Sequence, residues 1–157
     1  MKKTNQLSSD AAKQKIYKYC AYQERTHLEV KNKLFEYGLG SNEVDMLLTQ
    51  LISDGYLNEE RFAKTFAGGK FRIKGWGRMR ITNELEAKGL TKNCIQLGLR
   101  EIDQTEYEKA LEKVLKKKSE AVHEDDDYVR RDKIARYAIQ RGFEPELVWR
   151  WIKEMGI

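Results

Sequence analysis

The chain has 157 residues, of which 35% are charged and 40% hydrophobic, and it carries a net charge of +5. The apolar residues recur too regularly for a disordered chain, and no stretch approaches the roughly 20 apolar residues of a membrane span. The opening segment MKKTNQLSSD is basic but lacks the apolar centre of a signal peptide. Two cysteines, Cys20 and Cys94, suit a reducing compartment and lack the spacing of a metal site. These observations predict a cytoplasmic protein with no membrane partner, metal or cofactor.

Three glycines mark an internal repeat: Gly89 comes 51 residues after Gly38, and Gly142 comes 53 residues after Gly89. Each glycine follows apolar residues four and eight positions upstream and precedes apolar residues one, six, ten and thirteen positions downstream. Spacings of three and four place apolar side chains on one face of a helix. Glycine suits the left-handed backbone that follows a helix end. The repeat therefore predicts pairs of helices joined by tight turns.

Taken in chain order, the predicted elements are nine helices, arranged as three tandem three-helix repeats at about residues 9–57, 58–103 and 104–157. No segment alternates with the period of a β-strand, so the predicted fold is all-α. A triplet of this size has a small core, so adjacent repeats are expected to pack together or to stay partly flexible. Tandem repeats predict an elongated molecule with a long binding surface.

Capping residues predict where several helices begin. The first helix is predicted at about residues 9–22, and Thr26 begins a capping box that opens the second. Ser41 and Thr91 are predicted N-caps of the third and sixth helices, because a side-chain oxygen there accepts from a free backbone N–H. Thr105 begins a further capping box, which predicts the start of the seventh helix.

Basic residues cluster in the predicted second repeat. Residues 61–80 contain seven basic side chains and no acidic one. This clustering is typical of a phosphate-binding surface, and a solvated helix face is the alternative. Gly68 and Gly69 interrupt the helix in this run, which predicts a kink, an early helix end or a close approach. The residues that we expect to contact such a phosphate-bearing partner are Lys70, Arg72, Lys74, Arg78 and Arg80.

Trp76 lies between two glycines in this basic run, and two roles are open for it. Its ring stacks on an exposed base, or it packs into the seam between repeats. A second basic group, near the start of the eighth helix, comprises Arg130, Arg131 and Lys133. Cations near a helix start oppose the helix dipole, so an anionic partner is the simplest explanation for them.

The sequence gives little support for catalysis. The two histidines, His27 and His123, have no nucleophile at a suggestive spacing, and residues 125–127 lack the spacing of a calcium loop. One candidate function is a helical, helix-turn-helix-like DNA-binding protein, although the helices that follow the repeat glycines are too acidic and have too few long polar side chains for base readout. Another candidate is a purely protein-binding helical adaptor.

Four segments also carry a family resemblance: Tyr19–Val30, Gly55–Ala63, Arg72–Leu90 and Lys133–Phe143. Together and in this order they resemble the RecX family of bacterial recombination regulators, over about residues 13–155. In the first segment, Arg25 is followed shortly by a capping residue and a glutamate, as in that family's first repeat. Arg25 is therefore added to the candidate contact residues.

This resemblance implies a non-enzymatic regulator, built as a curved, all-helical array of three three-helix repeats. It implies binding to single- and double-stranded DNA and to the groove of the RecA–DNA filament. The expected consequences are inhibition of RecA ATP hydrolysis and strand exchange, and modulation of DNA repair and the SOS response. We expect the chain to act as a monomer.

Overall fold

The computed structural model describes residues 7–157, and all regular structure in that range is helical. Residues 1–6, which belong to the basic opening segment, lie outside the described residues. The α-helices are α1 Ser9–Tyr22, α2 His27–Glu36, α3 Ser41–Ser53, α4 Glu59–Gly69, α5 Arg78–Ala87, α6 Lys92–Leu99, α7 Gln104–Ala121, α8 Asp127–Gln140 and α9 Pro145–Met155. The prediction of an all-α fold is confirmed.

The helices pack as three triplets, α1–α3, α4–α6 and α7–α9, which we call the first, second and third repeats. In each triplet, every helix contacts both of the others. The predicted tandem array of three-helix repeats is therefore confirmed. Gly38, Gly89 and Gly142 follow the second helix of their repeats with φ of 85°, 85° and 102°. A side chain is strained in this left-handed backbone, which explains why glycine recurs there.

Several helix starts agree with the predicted caps. Ser9–Tyr22 matches the expected first helix. Thr26 Oγ1 accepts from the N–H of Glu29 at 3.1 Å, and Thr91 Oγ1 accepts from the N–H of Cys94 at 3.2 Å. Each bond satisfies one backbone donor that has no partner within its helix.

Two predicted caps are wrong. The N-cap of α3 is Gly40, which has no side chain to cap with, and Ser41 is the first helical residue. The N-cap of α7 is Asp103, whose carboxylate accepts from the N–H of Glu106 at 3.0 Å, two residues before the predicted Thr105. Aspartate is a stronger N-cap than threonine, which accounts for the earlier start of α7.

α4 ends at Gly69, but the two glycines do not interrupt the helical path of the chain. The chain continues through both and widens into a π-helical turn, Lys70–Lys74, which stops at Gly75 with a φ of 68°. The Arg72 guanidinium covers Gly68 so closely that a Cβ there would lie 2.5 Å from Arg72 Nη2. The group that approaches Gly68 closely is therefore the side chain of Arg72. The irregularity that the two glycines predicted is a widened helical turn.

The buried apolar side chains of the described residues form two separate clusters. One lies wholly within the first repeat and extends from Ala12 to Leu57. The other is shared by the second and third repeats and extends from Phe62 to Ile152. Tyr107 lies inside this shared cluster with its ring centroid 5.6 Å from that of Phe71 and 5.1 Å from that of Phe143. The second and third repeats are thus joined by a common core.

The contact between the second and third repeats, which we call the second seam, joins two glycine turns backbone to backbone. The N–H of Gly77 donates to the carbonyl of Arg141 at 2.8 Å, and the N–H of Met79 donates to the carbonyl of Gly142 at 2.9 Å. A Cβ on Gly77 would lie 2.2 Å from the carbonyl carbon of Gly142. The second seam therefore requires glycine at position 77.

A polar network completes the second seam. The hydroxyl of Tyr107 donates to Glu144 and accepts from the N–H of Arg78 at 3.0 Å. The Arg78 guanidinium forms an ion pair with Glu144 at 3.0 Å. Burial of Tyr107 and its bond to Glu144 raise the pKa of this tyrosine above its ordinary value.

The contact between the first and second repeats, which we call the first seam, includes three pairs of basic and acidic side chains. Glu24 accepts from Arg61 Nε at 2.6 Å, Glu59 lies 3.3 Å from His27 Nδ1, and Glu29 lies 3.9 Å from Lys88 Nζ. Glu59 also accepts from the backbone N–H of His27 at 3.3 Å. Within residues 7–157, no hydrogen bond between two backbone groups crosses this seam.

Candidate nucleic-acid and filament interface

A group of cations surrounds Trp76 on the second repeat. Lys70 Nζ lies 5.0 Å from the centroid of the indole ring, and the Arg80 guanidinium carbon lies 4.2 Å from it. The Phe66 ring meets the indole edge-on at 6.3 Å. Trp76 is half-buried against the shared core, so its ring both packs against the protein and holds two cations by cation–π contact.

The π-helical turn adds two exposed cations and an exposed apolar side chain. Arg72 and Lys74 are both exposed, and Ile73 between them is 81% exposed. The carbonyl of Lys74 accepts from Arg141 Nη2 at 3.3 Å, which ties the turn to the third repeat. We call this region the Trp76 surface, defined by Lys70, Arg72, Lys74, Trp76 and Arg80.

The cations of the basic run fall into two sets. Within the described chain, no carboxylate lies within 4.0 Å of the four cations of the Trp76 surface. The other three, in contrast, form ion pairs with glutamates of the same chain: Arg61, Lys64 and Arg78. Uncompensated positive charge attracts a polyanion most strongly, so the Trp76 surface is the better candidate interface.

Two predicted contact residues are occupied inside the chain. The Arg78 guanidinium lies 3.9 Å from the centroid of Tyr107 and forms the ion pair described above. The Arg25 guanidinium lies 3.7 Å from the centroid of Tyr19 and donates to the carbonyl of the same residue at 3.1 Å. Because both guanidinium groups have internal partners, we exclude Arg25 and Arg78 from the Trp76 surface.

The second predicted basic group is also partly compensated. Arg130 Nη2 donates to the carbonyl of Ser119 at 2.6 Å, and Lys133 forms an ion pair with Glu124. Arg131 is exposed and donates to the carbonyl of Asp127 at 3.2 Å, within its own helix. The partners of Arg130 and Lys133 lie in α7 and in the loop that follows it, which spacing within α8 does not reveal.

Phe66 and Lys88 near the Trp76 surface escaped the sequence analysis, and the position of Arg141 beside this surface was not expected. Phe66 contacts Trp76, and its ring centroid lies 5.4 Å from Lys70 Nζ and 5.7 Å from Lys88 Nζ. The spacing of four between Phe66 and Lys70 places the two on one helix face and was an available signal. Arg141 and Lys88 reach this region from other helices, so only the folded structure shows their proximity.

In the described residues, neither a metal-ligating group nor a membrane-spanning helix is present. Across residues 7–157, no group of three or more histidine, cysteine, aspartate or glutamate side chains could hold a metal ion. No helix in that range is long and apolar enough to cross a membrane.

Comparison with known proteins identifies the family. Family models described as the second and third three-helix domains of RecX match residues 58–99 and 105–152. A regulatory protein RecX of Pseudomonas fluorescens (strain SBW25) is 31% identical over 130 residues, which cover 83% of this chain and 82% of the relative. The chain belongs to the RecX family. A RecX family member from Prosthecochloris aestuarii is 25% identical over 139 residues, with 87% and 88% of the two chains covered.

Solved structures of the RecX family share the fold. The crystal structure of RecX from Lactobacillus salivarius superposes with a TM-score of 0.87 over 94% of this chain and 96% of that one, at 19% identity. A second crystal structure, of a regulatory protein RecX, has a TM-score of 0.81 and covers 93% of this chain and 73% of that one. The architecture is therefore retained at low sequence identity.

Proposed function

We propose that this RecX family member is a regulatory protein that binds the RecA–DNA filament and inhibits RecA. The relatives are named regulatory proteins, which supports a regulatory role for this chain. In the proposal, binding slows RecA ATP hydrolysis and strand exchange, and so modulates DNA repair and the SOS response. The protein acts as a cytoplasmic monomer without catalytic activity of its own.

The Trp76 surface carries this proposal, because it combines two kinds of contact. Its four uncompensated cations suit the phosphates of DNA. The same region exposes Ile73 and Met79, which are 81% and 46% accessible. Bare DNA backbone offers little to these apolar side chains, whereas a filament presents protein and DNA side by side. A mixed surface of this kind supports a filament as the partner over DNA alone.

The direct test is the rate of ATP hydrolysis by RecA on single-stranded DNA while the protein is titrated in. The proposal predicts inhibition at well below one molecule per RecA protomer, because one filament-bound molecule affects several protomers. Hydrolysis that is unchanged at equimolar protein would contradict it, provided that the same sample binds DNA.

Replacing Ile73 with serine distinguishes binding to the filament from binding to bare DNA. We expect Ile73→Ser to weaken RecA inhibition about tenfold, since an apolar contact of this size contributes on the order of 1–2 kcal/mol. Its affinity for bare DNA should stay unchanged, because no charge is lost. The matched control is Ile52→Ser, which alters an exposed isoleucine in the first repeat.

The rival function is DNA binding without RecA, by a helix-turn-helix-like unit. That function predicts that Ile73→Ser behaves like the wild type and that RecA is unaffected by either protein. The helix after each repeat glycine would then have to enter the major groove. α6, the corresponding helix of the second repeat, has only eight residues and packs closely on α4, where a Cβ on Gly98 would lie 2.7 Å from the Ala63 carbonyl. This packing weighs against the rival.

A further inference from the structure

The third repeat has an open groove between the start of α8 and the end of α9. Its volume is about 850 Å³, and its lining includes Tyr128, Arg131, Trp149, Ile152 and Lys153. None of these residues belongs to the Trp76 surface. The groove is large enough to admit a nucleotide or a large side chain of a partner.

Two aromatic side chains on different helices are displayed in this groove. Tyr128 in the first turn of α8 is 81% exposed, and Trp149 in α9 is 43% exposed. Aromatic side chains normally bury most of their surface, as Trp149 does, whereas Tyr128 leaves most of its surface accessible. Two exposed rings that line one cavity indicate a binding site for a flat, apolar group.

The uncompensated charge in the groove is mainly positive. Among the described residues, no carboxylate lies within 4.0 Å of Arg131 or Lys153. Asp132, which also lines the groove, is paired with Arg136 at 3.0 Å, and Asp127 remains as an acidic lining residue. The groove therefore presents Arg131 and Lys153, which form no ion pair within residues 7–157, beside Asp127 and two aromatic rings; Arg130, which also lines it, donates to the carbonyl of Ser119.

We propose that this groove binds an unstacked base of single-stranded DNA, with Tyr128 and Trp149 as stacking surfaces and Arg131 and Lys153 as phosphate contacts. A nucleotide combines a flat aromatic face with an adjacent negative charge, which matches the lining. In a duplex the base faces are covered by their neighbours, so the site selects single strands. The inference rests on the proposed function, because it adds a second DNA contact to the Trp76 surface.

The test compares two oligonucleotides of equal length and charge. One is oligothymidylate, and the other has abasic residues, so that only the first can stack. Fluorescence anisotropy should show that the wild type binds oligothymidylate about tenfold more tightly than the abasic strand, as expected for stacking of one base. Trp149→Ala and Tyr128→Ala should each lose most of that preference, and Trp149→Phe should keep it.

A charge variant separates stacking from phosphate binding. Arg131→Ala should weaken the binding of both oligonucleotides equally and lower the salt dependence of binding by about 0.7, the value for one phosphate contact on a single strand. The control variant is Tyr22→Ala, because Tyr22 is 82% exposed in the first repeat and is expected to matter for neither strand. Far-ultraviolet circular dichroism and thermal unfolding check that every variant is folded.

The outcomes distinguish failure of this inference from failure of the proposed function. If the wild type binds both oligonucleotides equally and still inhibits RecA, the base site is wrong and the filament proposal stands. If Trp149→Ala loses RecA inhibition but keeps its preference for oligothymidylate, the groove binds a protein side chain and the inference is overturned. If the preference exists but RecA is unaffected, the base site stands and the filament proposal fails.

Discussion

The two seams of this protein join the same kind of three-helix unit in opposite ways. At the second seam, Gly77 and Gly142 pack backbone to backbone, and the apolar core continues from one repeat to the next. At the first seam, ion pairs such as Glu24 with Arg61 connect two separate cores. Repetition of the unit therefore does not imply repetition of the interface.

This difference predicts unequal resistance to salt and to unfolding. Close backbone packing and buried apolar contacts are insensitive to ionic strength, whereas partly exposed ion pairs are screened by salt and are individually weak. We infer that the second and third repeats unfold as one unit and that the first repeat separates from them more easily. The Trp76 surface lies beside the second seam, where Lys74 is held by Arg141, so its geometry is fixed by the stronger contact.

The largest expected effect is that of Gly77→Ala. The new Cβ would lie 2.2 Å from backbone atoms of Gly142, which cannot move aside as a flexible side chain can. We expect a loss of about 3 kcal/mol in the free energy of unfolding, measured by urea denaturation. Gly69→Ala is the matched control, because its Cβ would meet open space and alanine should stabilise the helix by about 0.5–1 kcal/mol. Equal effects of the two would contradict the backbone packing at the second seam.

Tyr107→Phe is expected to have an intermediate effect. It keeps the ring in the core but removes the hydroxyl that bonds to Glu144 and to the N–H of Arg78. Two half-buried polar groups lose a partner, one of them a carboxylate, so the free energy of unfolding should fall by about 1–2 kcal/mol. Urea denaturation measures it, and a variant as stable as the wild type would show that the network adds nothing to the seam.

Because of the Tyr107 hydroxyl, we expect the free energy of unfolding to depend on pH. The pKa of Tyr107 is raised in the folded protein above the ordinary value of 10.0, so folding favours its protonated form. Its contribution is therefore complete below pH 10.0 and is lost progressively as the pH rises above that value. The stability difference between wild type and Tyr107→Phe should shrink over this alkaline range. A difference that stays constant above pH 10.0 would show that Tyr107 does not titrate differently in the two states.

The smallest expected effect is that of Arg61→Ala at the first seam. The pair with Glu24 is partly exposed, so its loss should cost about 0.5 kcal/mol at low salt. This difference from the wild type should disappear at about 1 M salt, where such pairs are screened. Hydrogen exchange in α1 and α2, followed at both salt concentrations, measures the effect. If Arg61→Ala lowered the free energy of unfolding as much as Tyr107→Phe, the first seam would not be the weaker of the two.

Much of the fold was predictable from the sequence, because its signals are local. The positive φ of Gly38, Gly89 and Gly142, the caps Thr26 and Thr91, and the nine α-helices of residues 7–157 all follow from nearby residues. The wrong N-caps show the limit of local signals, since Asp103 competed with Thr105 within two positions of the helix start.

The candidate site was less predictable, because pairing of charges depends on distant neighbours. The basic run predicted the segment on which the Trp76 surface lies, but its pattern could not show that Arg78 pairs with Glu144, 66 residues away. Nor could it show that Arg25 lies on Tyr19. The exposure of Ile73 likewise depends on a π-helical turn, which the apolar spacing of the sequence does not predict.

The most direct test of the account compares two variants that lose the same charge. The first, K70A/R72A/K74A/R80A, removes the cations of the Trp76 surface. The second, K13A/K15A/K18A/K31A, removes four exposed lysines of the first repeat. In RecA ATP hydrolysis on single-stranded DNA, we predict that the first variant needs at least about tenfold more protein for half-inhibition, since phosphate contacts dominate such binding. The second should match the wild type. Equal inhibition by both variants, or a larger loss in the second, would contradict the assignment of the Trp76 surface as the filament interface.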